Sequence, residues 1–376
     1  MKKRVLQLLG SFNQGGSERQ AVALARLLKN DGTFDVFAAT LNKDGILRGE
    51  IEGLNLPEIP EFPLTSFFNT NFVRQVRRCA KYLKEHEISL VHTHDFYTNV
   101  FGMAAAKLAG IEARIASKRE TGGMRSRGQE LVEKIAFRSA HAVVVNSQAV
   151  SEFLTVRGVS AAKTRLIYNG LDLERFENQL DDSAGFLRKN SLPTQIDVHF
   201  VTLVANLRHH VKNVPMLLRA AKRISPAKPD THFVIAGEGE LETEFRRLAE
   251  SLGITENVHF IGRCTDVPLL LSASSICVLT STAEGFSNSI IEYMAAERPV
   301  IATDVGGASE AIEEGVSGYL VTSDDDEALA RRLSELLADP DKAKSFGKEG
   351  KRIAAAKFSQ EAQLQKTLDL YHSLLR

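Results

Sequence analysis

The sequence predicts an α/β protein made of two doubly wound domains, each built on a parallel sheet. Three observations lead there. A length of 376 residues suits two cores of ordinary size better than one. Short apolar runs alternate with amphipathic runs in both halves, the strand–helix rhythm of parallel sheets. Polar, glycine-bearing loops follow several of the apolar runs, where open α/β sheets bind their ligands.

The bulk numbers exclude other classes. Hydrophobic content of 43% and charged content of 25% are those of a soluble globular chain. No apolar run approaches the ~18 residues of a membrane span. Met1-Lys2-Lys3-Arg4 could open a signal peptide, but the apolar segment Val5 to Leu9 ends at Gly10 and reads as a first strand. Cys79, Cys264 and Cys277 are scattered without metal-ligand spacing, which favours reduced thiols in a cytoplasm. Net charge is zero but unevenly spread: residues 1–170 hold 24 Lys+Arg against 16 Asp+Glu, and the remainder 23 against 31. The basic half either meets anionic substrate or lipid head groups, or carries a surface composition without purpose.

In the first half, residues 4–9 form a strand. The loop from Gly10 to Glu18 then leads into a helix from about Ser17 to Asn30, buried through Leu24, Leu27 and Leu28. The loop lacks G-x-G-x-x-G, so dinucleotide binding is disfavoured, yet Gly15-Gly16 lets a ligand approach the backbone. Asp35 to Ala39 is a second strand. Asn71 to Glu87 is a helix with a basic face of Arg74, Arg77, Arg78, Lys81 and Lys84, either a solvated surface or a membrane-docking one. Ile88 to Val91 is a strand with His92-Thr93-His94-Asp95 at its C-terminal end. The two histidines are read as facing opposite sides, so they are not expected to share a metal; packing or helix capping is the alternative to a binding role. Glu112 to Ser117 is a further strand, followed by Lys118-Arg119-Glu120-Thr121-Gly122-Gly123, with Arg125 and Arg127 adding positive charge. Ala142 to Ser147 is a strand ending in an Asn-Ser cap, Asn169-Gly170 makes a turn, and the polar stretch 177–197 reads as a linker.

The second half opens on the strand His199 to Val204 and the loop Ala205 to Asn213. Phe233 to Ala236 ends at Gly237-Glu238-Gly239, Val258 to Gly262 is another strand, and a helix over Thr265 to Leu271 precedes the buried strand Ile276 to Leu279. Residues 282–307 read TAEGFSNSIIEYMAAERPVIATDVGG. Ser287 and Asn288 are good N-cap residues, and Ile290, Ile291, Met294 and Ala295 recur at helical spacing. A helix N-terminus with free backbone N–H groups suits a phosphate. Glu284 and Glu292 would be repelled by a diphosphate and are better suited to accept hydrogen bonds from sugar and ribose hydroxyls. The plain alternative is a capped core helix with two solvated glutamates. Pro299 to Ala302 and Tyr319 to Val321 are strands, Asp324-Asp325-Asp326 opens an acidic helix start, and the last helix covers about Gln360 to Leu375.

Glu284-x7-Glu292, followed by Met294-Ala295, Pro299 to Thr303 and Gly306-Gly307…Glu310, resembles the nucleotide-sugar signature of the retaining GT-B glycosyltransferases, specifically glycosyltransferase family four. The resemblance covers nearly the whole chain and is densest from Ala205 to Val321. It implies two Rossmann-like domains facing across a cleft. Residues 1–180 would bind the acceptor, 197–358 the donor, and the helix at about 360–376 would cross back to the first domain. The implied reaction moves a hexosyl or N-acetylhexosaminyl group from a UDP- or GDP-sugar to a glycan, lipid-linked or small-molecule acceptor with retention, as in cell-surface polysaccharide or glycolipid assembly.

Carried over residue by residue, Lys212 and Arg208 would clamp the diphosphate, with Asn206 in the commonest arginine position. Glu284 and the backbone of Phe286, Ser287 and Asn288 would position the sugar, and Glu292 the ribose. Gly15, Gly16 and Gly237 match donor-facing glycines; Glu18, Arg19 and Asp95 would face the acceptor, and His94 the sugar. Arg119 stands where the family commonly has a His. It cannot act as a general base but can steady a phosphate or carboxylate, and with Arg125 it hints at an anionic acceptor. No cofactor and no metal are expected, because no DxD motif stands at a strand end. No nucleic acid is expected either, and the location would be cytoplasmic, with peripheral membrane contact through the basic half as an option. The rivals are a phosphorylase or nucleotide-sugar epimerase of the same fold, a non-catalytic partner subunit and, more distantly, an oxidoreductase.

Overall fold

Parallel strands carry both halves of the chain, and their order decides where loops meet. The structure is a computed structural model describing residues 2–13, 15–67, 69–122, 126–177 and 183–375. It divides into two units, Met1–Gly170 with Gln360–Arg376, and Leu171–Ser359.

The first unit holds β1 (Arg4–Leu9), β2 (Asp35–Thr40), β3 (Ile88–Thr93), β4 (Ala113–Lys118), β5 (Ala142–Val145) and β6 (Thr164–Leu166). They form one parallel sheet in the order β2-β1-β3-β4-β5-β6. Between them run α1 (Gly16–Asp31), α2 (Arg48–Glu52), α3 (Thr70–Glu85), α4 (Phe96–Ala109), α5 (Arg127–Ser139) and α6 (Gln148–Val156). Val76, Leu83, Met103, Phe137 and Leu154 pack on one face of the sheet. Leu24 and Leu28 pack on the other, with Leu368 and Tyr371 from the C-terminal helix. Because β1 pairs with both β2 and β3, the strand order reverses there, and the ends of β1 and β3 flank the crevice where such sheets bind ligands.

The second unit holds α7 (Ser183–Lys189), β7 (His199–Val204), α8 (Val214–Ile224), β8 (Thr231–Ala236), α9 (Glu242–Leu252), β9 (Val258–Gly262) and α10 (Val267–Ser272). It continues through β10 (Ile276–Leu279), α11 (Asn288–Ala295), β11 (Val300–Thr303), α12 (Ala308–Ala311), β12 (Gly318–Val321), α13 (Asp326–Ala338) and α14 (Pro340–Lys357). The helix after it, α15 (Gln360–Leu374), belongs to the first unit. The sheet order is β12-β11-β10-β7-β8-β9, again all parallel, with its reversal between β7 and β10.

Two local expectations change. The stretch 177–197 is not simply a linker. Within it α7 forms, and Phe186 and Leu192 are buried with Phe200 and Val234 of the second sheet. Its few apolar residues dock although its composition is polar. The helix expected from Thr265 instead starts at Val267, because Asp266 caps it by accepting a hydrogen bond from the Leu269 N–H at 3.0 Å. The acidic start of α13 caps in the expected way: Asp325 accepts from the Ala328 N–H at 2.8 Å, while Asp324 and Asp326 bind Arg219 and Arg223. Among the described residues no helix is long and apolar enough to cross a membrane.

Candidate functional site

In the second unit, the loops that follow β7 and β10 meet at the strand-order reversal. The apolar run of β10 gives way to Thr280, Ser281 and Thr282, and these polar residues tie the two loops together. Thr280 Oγ1 donates to the Lys212 carbonyl at 2.8 Å, and the Thr282 N–H donates to the Val211 carbonyl at 2.8 Å. Lys212 Nζ lies 2.5 Å from Glu284 Oε1, and Ser281 Oγ donates to the same oxygen at 2.7 Å. The two charged side chains are largely buried, 17% and 15% exposed.

The surroundings hold this pair in place. Thr303 Oγ1 at the end of β11 donates to the Ser281 carbonyl at 2.6 Å. The Gly307 N–H donates to the Gly285 carbonyl at 2.8 Å. Gly306 has φ +57°, and a Cβ there would fall 2.2 Å from the Glu284 carbonyl oxygen, so only glycine lets the two loops touch. Gly237 after β8 plays the same part against β7: its φ is +151°, and a Cβ would lie 1.7 Å from the Ala205 carbonyl oxygen. From α11, Tyr293 Oη accepts the Val204 N–H at 2.8 Å and Ser289 Oγ donates to the Val204 carbonyl at 3.2 Å, seating the helix on the end of β7.

The expected donor residues are distributed unevenly around this pair. Phe286 is buried against Phe358, with ring centroids 5.1 Å apart. Ser287 stands at the N-cap of α11 but makes no side-chain capping bond; Asn288 opens the helix and Glu292 is half-buried one turn on. Asn206 and Arg208 are exposed on the β7 loop, and among the described residues Arg208 is not joined to the Lys212–Glu284 pair. Ser281, Thr280 and Tyr293 were missed by sequence reasoning. Their signal is a polar pair directly after a buried strand, and a hydroxyl on the buried face of a helix.

The first unit gathers polar side chains at the C-terminal ends of neighbouring strands. Gln7 Nε2 donates to Tyr371 Oη at 2.9 Å, so the tyrosine hydroxyl is left to donate to His92 Nδ1 at 2.7 Å. His92 Nε2 then carries the proton and donates to Ser117 Oγ at 2.8 Å. His94 Nε2 donates to Gln7 Oε1 at 2.9 Å, which leaves Nδ1 as a lone-pair acceptor. The two rings do not face opposite sides, since residues two apart in a strand share a face; their centroids are 4.4 Å apart. Burial, then Arg119, pushes His92 down to about 3, and burial, His92 and Arg119 hold His94 well below the usual histidine range.

Asp95 caps α4 by accepting the Thr98 N–H at 3.0 Å, and a Cβ at Gly10 would meet its Oδ2 at 2.6 Å. Glu18 sits on the first turn of α1 over Gly15. Burial and Asp95 raise its carboxyl, while its own backbone N–H and Arg119 oppose. Gly16 and Arg19 are exposed on the same turn. Arg119 Nη1 donates to Asn169 Oδ1 at 2.5 Å, and burial lowers the guanidinium to about 10 against the pull of Glu18. Four buried side-chain atoms find no hydrogen-bond partner among the described residues: His94 Nδ1 after β3, Arg119 Nε after β4, Asn146 Oδ1 after β5 and Gln363 Oε1 on α15. Arg125 lies outside the described residues. Gln7, Ser117 and Tyr371 were not foreseen, because nothing local in the sequence links them to His92.

Comparison with known proteins agrees with both units. Residues 14–175 match the model of Glycosyltransferase Family 4, and residues 189–353 match that of Glycosyl transferases group 1. The chain is 27% identical over 320 residues to the EpsD protein of Bacillus subtilis (strain 168), covering 80% of each. It is 26% identical over 271 residues, 69% of each chain, to the UDP-Gal:alpha-D-GlcNAc-diphosphoundecaprenol alpha-1,3-galactosyltransferase of Escherichia coli. Its fold superimposes on that of Anabaena Alr3699/HepE in complex with UDP-glucose, with a TM-score of 0.86 at 22% identity over 98% of this chain and 99% of that one. The two matched halves, the two parallel sheets and the shared fold make this chain a GT-B glycosyltransferase of family four.

Proposed function

We propose that the protein moves a sugar from a UDP- or GDP-sugar to a glycan, lipid-linked or small-molecule acceptor, retaining the anomeric configuration. The observation that carries this reading is the Lys212–Glu284 pair at the strand-order reversal of the second unit, beside the N-terminus of α11. Lys212 is held by Glu284 in the structure. A donor diphosphate competes for that ammonium, and Glu284 is then released to accept hydrogen bonds from the sugar. Glu292 takes the ribose hydroxyls. The C1–oxygen bond to the diphosphate breaks, the bond from C1 to the acceptor oxygen forms on the same face, and the acceptor proton passes to the departing phosphate. Lys212, joined by Arg208 as the donor seats, stabilises that charge in place of a metal.

A UDP donor is supported by the relatives: the Escherichia coli protein is a UDP-Gal galactosyltransferase, and the Anabaena structure holds UDP-glucose. Cytoplasmic work at the membrane surface is supported by α3, where Arg74 and Arg77 flank Val73, which is 48% exposed.

A thermal-shift screen against UDP, GDP, ADP and their common sugars, with and without magnesium, tests the reading. Ligand at about 100 times its Kd adds about 2.7 kcal/mol of stability. Stabilisation by one nucleotide without metal is expected. No shift with any nucleotide would sink the donor site, and a strict need for magnesium would sink the metal-free mechanism.

A further inference from the structure

Three of the four buried polar atoms left over in the first unit follow strands of its sheet and have definite hydrogen-bonding roles. His94 Nδ1 is an acceptor, because Nε2 is committed as a donor to Gln7 Oε1 at 2.9 Å. Asn146 Oδ1 is an acceptor by its nature. Arg119 offers a donor: Asn169 takes Nη1 at 2.5 Å, and Nε stays buried without a partner among the described residues. These three residues follow β3, β4 and β5, which are consecutive neighbours in the sheet, so they share one stretch of its C-terminal edge. The site is a built one, since His94 and Asn146 are each 2% exposed.

The ligand that satisfies all three must offer hydroxyl donors to His94 and Asn146 and an oxygen acceptor to Arg119. The Nε edge of a guanidinium is half of the fork that takes a carboxylate with two parallel bonds. We propose that this edge is a subsite for a carboxylate-bearing sugar, a hexuronate, with Arg119 on the carboxylate and His94 and Asn146 on ring hydroxyls. The inference rests on the glycosyltransferase reading above and narrows its substrate class. Glu18 is the carboxyl group that acts on Arg119, and Asp95 acts on Glu18. Asp95 is engaged as the cap of α4, and Glu18 is folded back over Gly15, its carboxyl raised by burial. Glu18 attracts the Arg119 guanidinium, but among the described residues neither carboxyl forms an ion pair with it, so its Nε edge remains for a ligand's acceptor.

The hexuronate can arrive on the donor or on the acceptor, and the test has an arm for each. Calorimetry would compare UDP-glucose with UDP-glucuronate, and neutral with uronate-containing oligosaccharides, with UDP and GDP alone reporting the nucleotide site. The uronate form should bind about tenfold to a hundredfold more tightly in one arm. Arg119→Gln should abolish that preference while the nucleotide still binds; Arg119→Lys, which keeps the charge without the fork, should restore part of it. Equal binding of neutral and acidic forms by the wild-type protein in both arms overturns the proposal, as does a preference that survives Arg119→Gln. In either case nucleotide binding shows whether the glycosyltransferase reading still stands; loss of nucleotide binding by the wild type sinks that reading separately.

Discussion

Lys212 Nζ and Glu284 Oε1 stand 2.5 Å apart although 72 residues separate them in the chain. Neither loop would hold its charged residue there alone. Adjacent parallel strands β7 and β10 bring the loops together, and Thr280 and Thr282 bind the loop backbones to each other. Lys212→Ala is expected to lower kcat by about a hundredfold or more, as loss of one preorganised cation does. It also leaves Glu284 largely buried without its ammonium, at a cost of about 1–3 kcal/mol in stability. The double variant Lys212→Met with Glu284→Leu should recover much of the melting temperature and none of the activity. Recovery of both in a transfer assay would show that the pair is structural only.

Gly306→Ala should be more damaging than an exposed loop substitution. Its φ of +57° costs a side chain about 1–2 kcal/mol, and the new methyl would meet the Glu284 carbonyl oxygen at 2.2 Å. The loop carrying Glu284 must shift. Urea denaturation and steady-state kinetics together are expected to show lower stability and a lower kcat; unchanged kcat would separate this contact from catalysis.

Acid should unfold the first unit through its buried histidines. His92 falls from 6.5 to about 3 on folding, and His94 falls well below the same value. Their stability contribution is therefore full above pH 6.5 and is lost as pH drops towards the folded values, since only the unfolded chain binds the protons. Each ring contributes a slope of about 1.4 kcal/mol per pH unit inside that window. Glu18 works in the opposite sense, because its raised carboxyl takes a proton more readily when folded. Unfolding free energies measured from pH 7 to pH 5 should fall, and the two ring signals should not titrate in that range by NMR. Titration of either ring near its ordinary value would contradict the buried network.

Phe186→Ala tests whether α7 belongs to the second unit. The ring is 8% exposed and packs among Leu192, Phe200 and Val234, so its removal should cost about 3–5 kcal/mol. A change below about 0.5 kcal/mol, the size typical of surface positions, would return 183–192 to the status of linker.

The elements were largely legible because their causes are local. The apolar run Ile276 to Leu279 becomes β10, Asp325 accepts the Ala328 N–H as residue type and spacing anticipate, and Ser287 stands at the N-cap of α11, though without a side-chain capping bond. The candidate loops were legible too, since each follows a strand. Other features were not. His92 and His94 were assigned opposite faces, and α7 was hidden by polar neighbours. The contacts Tyr371–His92 and Gln20–Gln363 span 279 and 343 residues. No local pattern encodes such meetings, because they depend on which strands become neighbours and which helix returns to which sheet.

By itself, then, the amino-acid sequence determined two strand–helix domains and the placement of Lys212, Glu284, His94 and Arg119 in loops at strand ends. Periodicity, capping and turn chemistry act within a few residues and are enough for that. Only the tertiary structure decided that β7 lies beside β10, so that an ammonium and a carboxylate pair, and that β3, β4 and β5 run side by side, so that Arg119 Nε, His94 Nδ1 and Asn146 Oδ1 share one edge. Sheet order is settled by long-range packing of whole faces, and the chemistry left open at those edges follows from it.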